Sequence, residues 1–425
     1  MPPTYVLVVF ARVAATLLMA AVPWLLRQLA LPSVASEPLG GHAVSFADLG
    51  LSAVVACMCA VELGAEAVPR WRALRHGGPT ERARLLRVTA LLALLLAAWH
   101  AWLMADYLAA VGAIERGVGP RLLVMLELGA GLGATLLAAR AISRWGLGNG
   151  LAVLVVSAEV ASWVVRHGLA PGDAPAASGG LIGLFAGGGG DGQALIIALL
   201  AVGGTLVALR VRIGGARQPV AGLAPVVGLA WLVGALGLLE LLGATDRSPL
   251  LVYVPTSALY AVAVLAVGGT AWWLTRGVER RARWQSTTLS VVFVLAQYVL
   301  DARLEGTGAR RPLGLVEPSI FTVALGTALL ADLVAEVRAR LRLGPCGAVW
   351  SFHDVARADG AAERLAHAGI EHHLAGWRLR RLRRITAPWA PVRLLARPED
   401  AGLAAQLARA EGSRALVDRA LDALG

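Results

Sequence analysis

Roughly ten stretches of this chain are apolar over about 20 residues each, the length a helix needs to cross about 30 Å of hydrocarbon. The candidate spans are 4–27, 46–68, 86–110, 121–143, 150–168, 193–211, 219–243, 250–275, 286–303 and 316–338. Lipid offers the backbone no hydrogen-bond partners, so each stretch has to satisfy itself as a helix. With 57% hydrophobic and 16% charged residues among 425, the chain is expected to be an all-α polytopic membrane protein and not a soluble enzyme.

The basic residues orient those spans. All 39 are arginine, and the formal net charge is +11. Such an excess can signal nucleic acid, but between membrane spans it holds connections on the cytoplasmic side. Arg70, Arg72, Arg75, Arg82, Arg84 and Arg87 follow the second span; Arg210, Arg212 and Arg217 follow the sixth. Arg276, Arg280, Arg281 and Arg283 follow the eighth, and Arg144, Arg338, Arg340 and Arg342 fall on the same side. Both termini then share that side. The alternate connections, 32–48 and 171–191, are rich in Gly, Ala, Ser and Pro, and the one contrary cluster, Arg303 to Arg311, is interleaved with Asp301, Glu305 and Glu317. An even number of spans also divides into two sets of five, which would insert with inverted topology. The first apolar run lacks a small-residue cleavage pattern, so it is read as a span and not as a signal peptide.

Beyond Gly344-Pro345 the composition changes, which divides the chain into a membrane domain, 1–343, and a cytoplasmic domain, 344–425. There, 348–352, 370–379 and 392–396 read as strands, and 356–367 and 400–410 as helices. That order points to a small ferredoxin-like α/β fold. Arg378, Arg380, Arg381, Arg383 and Arg384, near Trp377 and Trp389, form a basic patch for which a solvated edge, anionic lipid headgroups and RNA are three readings. No specific nucleic acid is expected. Cys57, Cys59 and Cys346 offer neither a disulfide framework nor zinc spacing, and adjacent His372 and His373 would point to opposite faces of a strand, so no metal or cofactor is expected.

Gly146, Gly148, Asn149 and Gly150, between the fourth and fifth spans, form a tight turn of residues that tolerate left-handed backbone angles. The tract Gly146-Leu-Gly-Asn-Gly150 resembles the Gly-Ile-Gly-Asn-Gly turn of SecY, the protein-conducting channel of the Sec translocon. Three further tracts are collinear with that family: Gly50 to Leu63 with its second helix, Ala221-Gly-Leu-Ala-Pro225 with the opening of its seventh, and Leu329 to Val337 with its tenth. The resemblance implies an hourglass channel closed by an aliphatic ring, here Leu51, Val55, Val155, Val227 and Leu325. A short plug would lie at about 40–48, and Glu62 would stand near the lateral gate, where the family presents an uncharged polar residue.

It also implies a polypeptide substrate, small SecE- or SecG-like membrane subunits, lipid contacts and a bacterial or archaeal plasma membrane location. The family's long basic loops after the sixth and eighth helices are short here, so ribosome and SecA docking are not expected. Glu127, Glu159 and Glu240, with His100 and Asp106, are ionisable groups within or near spans. They are interhelical partners or a proton relay. The relay keeps open a secondary transporter of a small solute, and a non-conducting scaffold presenting the C-terminal domain is a third reading. None of these is an enzyme.

Overall fold

The computed structural model describes residues 3–36, 43–76, 79–166, 320–353, 355–382 and 391–410, with scattered positions between 265 and 295. The first span is two helices, α1 (Pro3–Ala20) and α2 (Val22–Gln28), because Pro23 in the first turn of α2 has no N–H to continue the ladder. Then follow α3 (Ser52–Ala67), α4 (Pro69–His76), α5 (Pro79–Ala110), α6 (Val118–Trp145), α7 (Gly150–Arg166) and, after the undescribed stretch, α8 (Ile320–Leu343). Among the described residues three helices are long and apolar enough to span a membrane: Tyr5–Gln28, Arg82–Ala110 and Val118–Trp145. The chain is a membrane protein with transmembrane helices. The expected sixth and seventh spans and most of the eighth and ninth, and with them the ten-helix inverted repeat, lie outside the described residues.

The membrane core is built on small side chains. Ala93, Ala97, Ala101 and Ala105 recur every fourth residue along α5 and are buried, which lets α5 approach α3 closely. Leu91, Leu94 and Leu95 on the other face are 58%, 65% and 59% exposed, as a lipid-facing surface has to be.

The helices present two chemically different ends. At one, the 29–46 connection pairs with itself, with Leu31 N–H donating to Val44 (2.7 Å) and Phe46 N–H to Leu29 (3.1 Å). At that end Ala35 N–H also reaches the Ala113 carbonyl (2.9 Å), and Arg121 pairs with Asp106 at 2.8 Å. The other end carries α4, the arginine-rich start of α5, the α6–α7 turn and the C-terminal domain. The 32 residues of α5 make a helix of about 48 Å, longer than the hydrocarbon is thick. Its first turns therefore leave the apolar region, and Arg82 donates to the Ser351 carbonyl of the C-terminal domain at 3.3 Å.

That domain contains β1 (Gly347–Phe352), α9 (Val355–His367), β2 (His372–Ala375), α10 (Trp377–Leu382), β3 (Val392–Ala396) and a helical segment, 401–410. The sheet order is β1-β3-β2 with β3 antiparallel to both neighbours, so β1-α9-β2 is a split βαβ unit. Phe352, Ala358, Leu365, Val392, Leu394, Ala404 and Ala408 form its own core. The sequence reading of 370–379 as one strand is corrected. The strand stops at Ala375, Gly376 turns the chain at φ +77°, and the alternating arginines that follow belong to a short helix. A ferredoxin-like closure would need residues beyond 410, outside the described set.

Candidate functional site

Four of the five expected ring residues join one buried cluster. Leu51 at the start of α3, Val55 one turn later and Leu325 on α8 are 7%, 3% and 1% exposed, and half-buried Val155 on α7 packs against the same cluster. Three separate helices thus contribute aliphatic side chains to this cluster. Val227 lies outside the described residues. Glu62 is on α3, but its side chain is not described.

The expected plug region is described from residue 43. Ser45 donates N–H and hydroxyl to the Asp48 carboxylate (2.7 and 2.9 Å), which closes a turn. The Phe46 carbonyl lies so close to Gly131 of α6 that a Cβ there would land on it. The segment is therefore seated on the helix bundle by backbone contact.

The most concentrated polar chemistry lies around the α6–α7 turn. α6 ends at Trp145 and α7 starts at Gly150, and the residues between them are satisfied from four directions. From α1, Arg12 donates to the Gly146 carbonyl at 3.3 Å, and the Thr16 hydroxyl accepts the Leu147 N–H at 2.8 Å. Locally, Ser143 Oγ accepts the Gly150 N–H and Asn149 Oδ1 accepts the Ala152 N–H, each at 3.0 Å; the second is an N-cap for α7. Gly148, at φ +70°, needs glycine both for that angle and for space, since an added Cβ would stand 2.6 Å from Leu333 Cδ2.

The remaining directions converge on α8. Glu336, 1% exposed, accepts the Gly148 N–H at 3.0 Å and both Nε and Nη2 of Arg340 at 3.0 and 2.8 Å. Arg393 of β3 reaches the same carboxylate at 3.3 Å while donating to the Gly148 carbonyl at 2.9 Å. One turn earlier, buried Asp332 accepts the N–H groups of Arg378 and Leu379 at 3.0 and 2.7 Å. A carboxylate on α8 thereby caps the first turn of α10 in the C-terminal domain. Leu379 follows that cap into the membrane domain's apolar cluster.

The five-arginine run consequently does not form one solvated edge. Arg380 is fully buried and donates to the His353 carbonyl at 2.9 Å, and Arg378 is held against Asp332 and the Ala331 carbonyl. The side chain of Arg381 is not described, and Arg383 and Arg384 lie outside the described residues. Burial wins because the helix turns Leu379 and Arg380 inward once Asp332 fixes its start. Burial also pushes the pKa of His373, on β2 beside this junction, down to about 4. Of the ionisable groups expected near spans, Glu127 accepts from the Ser33 hydroxyl and Asp106 is paired with Arg121; Glu240 and the side chain of Glu159 are outside the described set.

Asp332, Glu336, Arg393 and Thr16 were not singled out in the sequence as site residues. The available signal was the pair of acids four apart in an otherwise apolar helix, followed by arginines. Such acids require partners.

No protein-family model and no curated protein sequence matches the chain. Comparison with solved structures does find similarity. A SecY structure from work on its plug domain, and Sec61 in the canine ribosome-channel complex from the endoplasmic reticulum, each align with TM-score 0.52 and 12% identity, over 78% of this chain and 92% of theirs. A third, "the structure of a protein conducting channel", aligns over the same shares with TM-score 0.52 and 11% identity. The chain has a distant SecY-like fold. At such identity the likeness establishes architecture and leaves activity to be argued from the chain's own residues.

Proposed function

We propose that this protein is a SecY-like channel that passes polypeptides across the membrane or inserts them into it, without the usual ribosome and SecA docking loops. The observation that carries the reading is the gathering of Leu51, Val55, Val155 and Leu325 from three helices into one apolar cluster inside a SecY-like fold. An aliphatic constriction is costly to wet, so it holds back ions, yet it carries no fixed partner and can yield to a flexible chain. Val227 completes the ring, the segment at about 40–48 is a reduced plug and Glu62 stands by the lateral gate. Small SecE- or SecG-like subunits are its partners, no cofactor or enzymatic step is involved, and the arginine-rich end with both termini faces the cytoplasm of a bacterial or archaeal cell. Asp106 is paired with Arg121 between α5 and α6 and Glu127 with Ser33 of the 29–46 connection; such structural partners favour packing roles over a proton relay, which weighs against the transporter reading.

The test is single-channel recording in planar bilayers of wild type, Leu325→Asn and the exposed control Leu95→Asn. Asparagine at a buried seal hydrates it, so Leu325→Asn gains ion leakage and Leu95→Asn does not. Folded, inserted Leu325→Asn protein that conducts no more than the control overturns the channel reading and leaves the scaffold reading in its place.

A further inference from the structure

At the arginine-rich end, α8 and the C-terminal domain enclose between them an open groove of about 380 Å³. Its α8 wall is a single helix face, Ala331, Val334, Ala335, Arg338 and Arg342, spaced so that successive residues lie one above another. That face changes character along its length. Val334, and Leu330 just before it, are 45% and 65% exposed, as apolar groups in contact with hydrocarbon are. Arg338 and Arg342 lie about 6 and 12 Å further along the helix from Val334. Both are exposed, and neither makes a hydrogen bond or ion pair among the described residues. The opposite wall supplies Arg378, whose side chain is 38% exposed, and His373, whose Nε2 is buried without a partner.

No carboxylate lines the groove. Glu336 turns away from it to Gly148, Arg340 and Arg393, and Asp332 accepts from the start of α10 while pairing with Arg378 at 3.7 Å. Three guanidinium groups, that of Arg378 also paired with Asp332, thus line a slot whose other end is apolar. Bare phosphate would satisfy the cations and leave the apolar wall unused. An amphiphile with an anionic head uses both.

We propose that this groove binds the phosphodiester headgroup of an anionic phospholipid, with the phosphate between Arg338, Arg342 and Arg378 and an acyl chain along Leu330 and Val334. Bound there, the lipid touches both domains and adds to the attachment of the C-terminal domain at the membrane surface. The assignment does not depend on whether the protein conducts polypeptides.

The experiment uses the full chain in detergent and counts bound lipid by native mass spectrometry after adding phosphatidylglycerol or phosphatidylcholine, with and without inorganic phosphate. The variants are Arg338→Gln/Arg342→Gln and, as a control for charge at the same end of the bundle, Arg140→Gln, which is exposed on α6 and outside the groove. Wild type is expected to prefer phosphatidylglycerol by about tenfold or more, because the choline cation of phosphatidylcholine is repelled by the same arginines, and the double variant to lose about a hundredfold in phosphatidylglycerol binding, since each of the two charge-assisted contacts is worth roughly a factor of ten. Arg140→Gln should stay within about twofold. Three outcomes overturn the proposal: equal binding of the two lipids by wild type, an equal loss in Arg140→Gln, or full displacement of the lipid by inorganic phosphate, which would mark a site for a free anion. All the glutamines replace exposed side chains, and monodisperse elution of each variant establishes that a loss of lipid is not a loss of fold.

Discussion

Glu336→Gln isolates the carboxylate at the domain junction while keeping its shape. Oε1 faces Arg340 Nε and Nη2, and Oε2 faces the Gly148 N–H and Arg393 Nη2, so every neighbour is a donor. Whichever way the glutamine amide is turned, its NH2 group meets donors on one side. The substitution therefore loses the charge shared by two arginines and also leaves N–H groups facing N–H groups. Arg340 is 6% exposed and Arg393 23%, so water compensates little at the first and somewhat more at the second. Breaking a buried pair by removing one partner costs about 3–5 kcal/mol, and a lowering of the midpoint on the order of 10 °C follows for domains of this size. Tryptophan fluorescence of the detergent-purified protein would follow the midpoint, and limited trypsin cleavage would report whether the 338–347 connection becomes accessible. Arg393→Gln should cost less, and the double variant less than the sum, because the shared interaction is lost once. A Glu336→Gln protein with an unchanged midpoint and cleavage pattern would refute the view that this carboxylate joins the two domains.

Gly150→Ala should destabilise by about 1–3 kcal/mol, because its Cβ would land on the Ala139 carbonyl of α6; Gly129→Ala, with open space around it, should be neutral or slightly stabilising in the same melting assay. For His373, the folded pKa of about 4 lies below the ordinary value of about 6.5, so its contribution to stability is present above about pH 6.5 and is lost as pH falls toward about 4. Trypsin sensitivity of the domain junction should therefore rise over that window in wild type, with a flatter profile in His373→Gln; identical profiles would rule the histidine out.

What the sequence made legible was whatever rests on local pattern. The strand at 392–396 and the helix over Val355–His367 follow from periodicity, and the α6–α7 turn follows from glycine and asparagine, whose allowed angles are a property of the residues themselves. The helix α10 was not legible, because Arg378, Leu379 and Arg380 alternate as a strand would and the group that caps the helix, Asp332, is 46 residues earlier in the chain. Arg393 and Gly148 are 245 residues apart, and nothing in either neighbourhood announces the other. The ring residues were nominated by likeness and by being hydrophobic, a property shared by 57% of the chain. Only the packing shows that four of them belong to one buried cluster.

The position of Arg393 has a mechanical consequence. Its guanidinium holds the turn that starts α7 and the carboxylate of α8 together, at 2.9 and 3.3 Å, and it is anchored in the central strand of a folded sheet. Hydrogen bonds fail within a few tenths of an ångström of such lengths. Separation of α7 from α8 therefore stretches this link or moves the strand that carries it, so the spacing of the two helices and the position of the sheet are coupled.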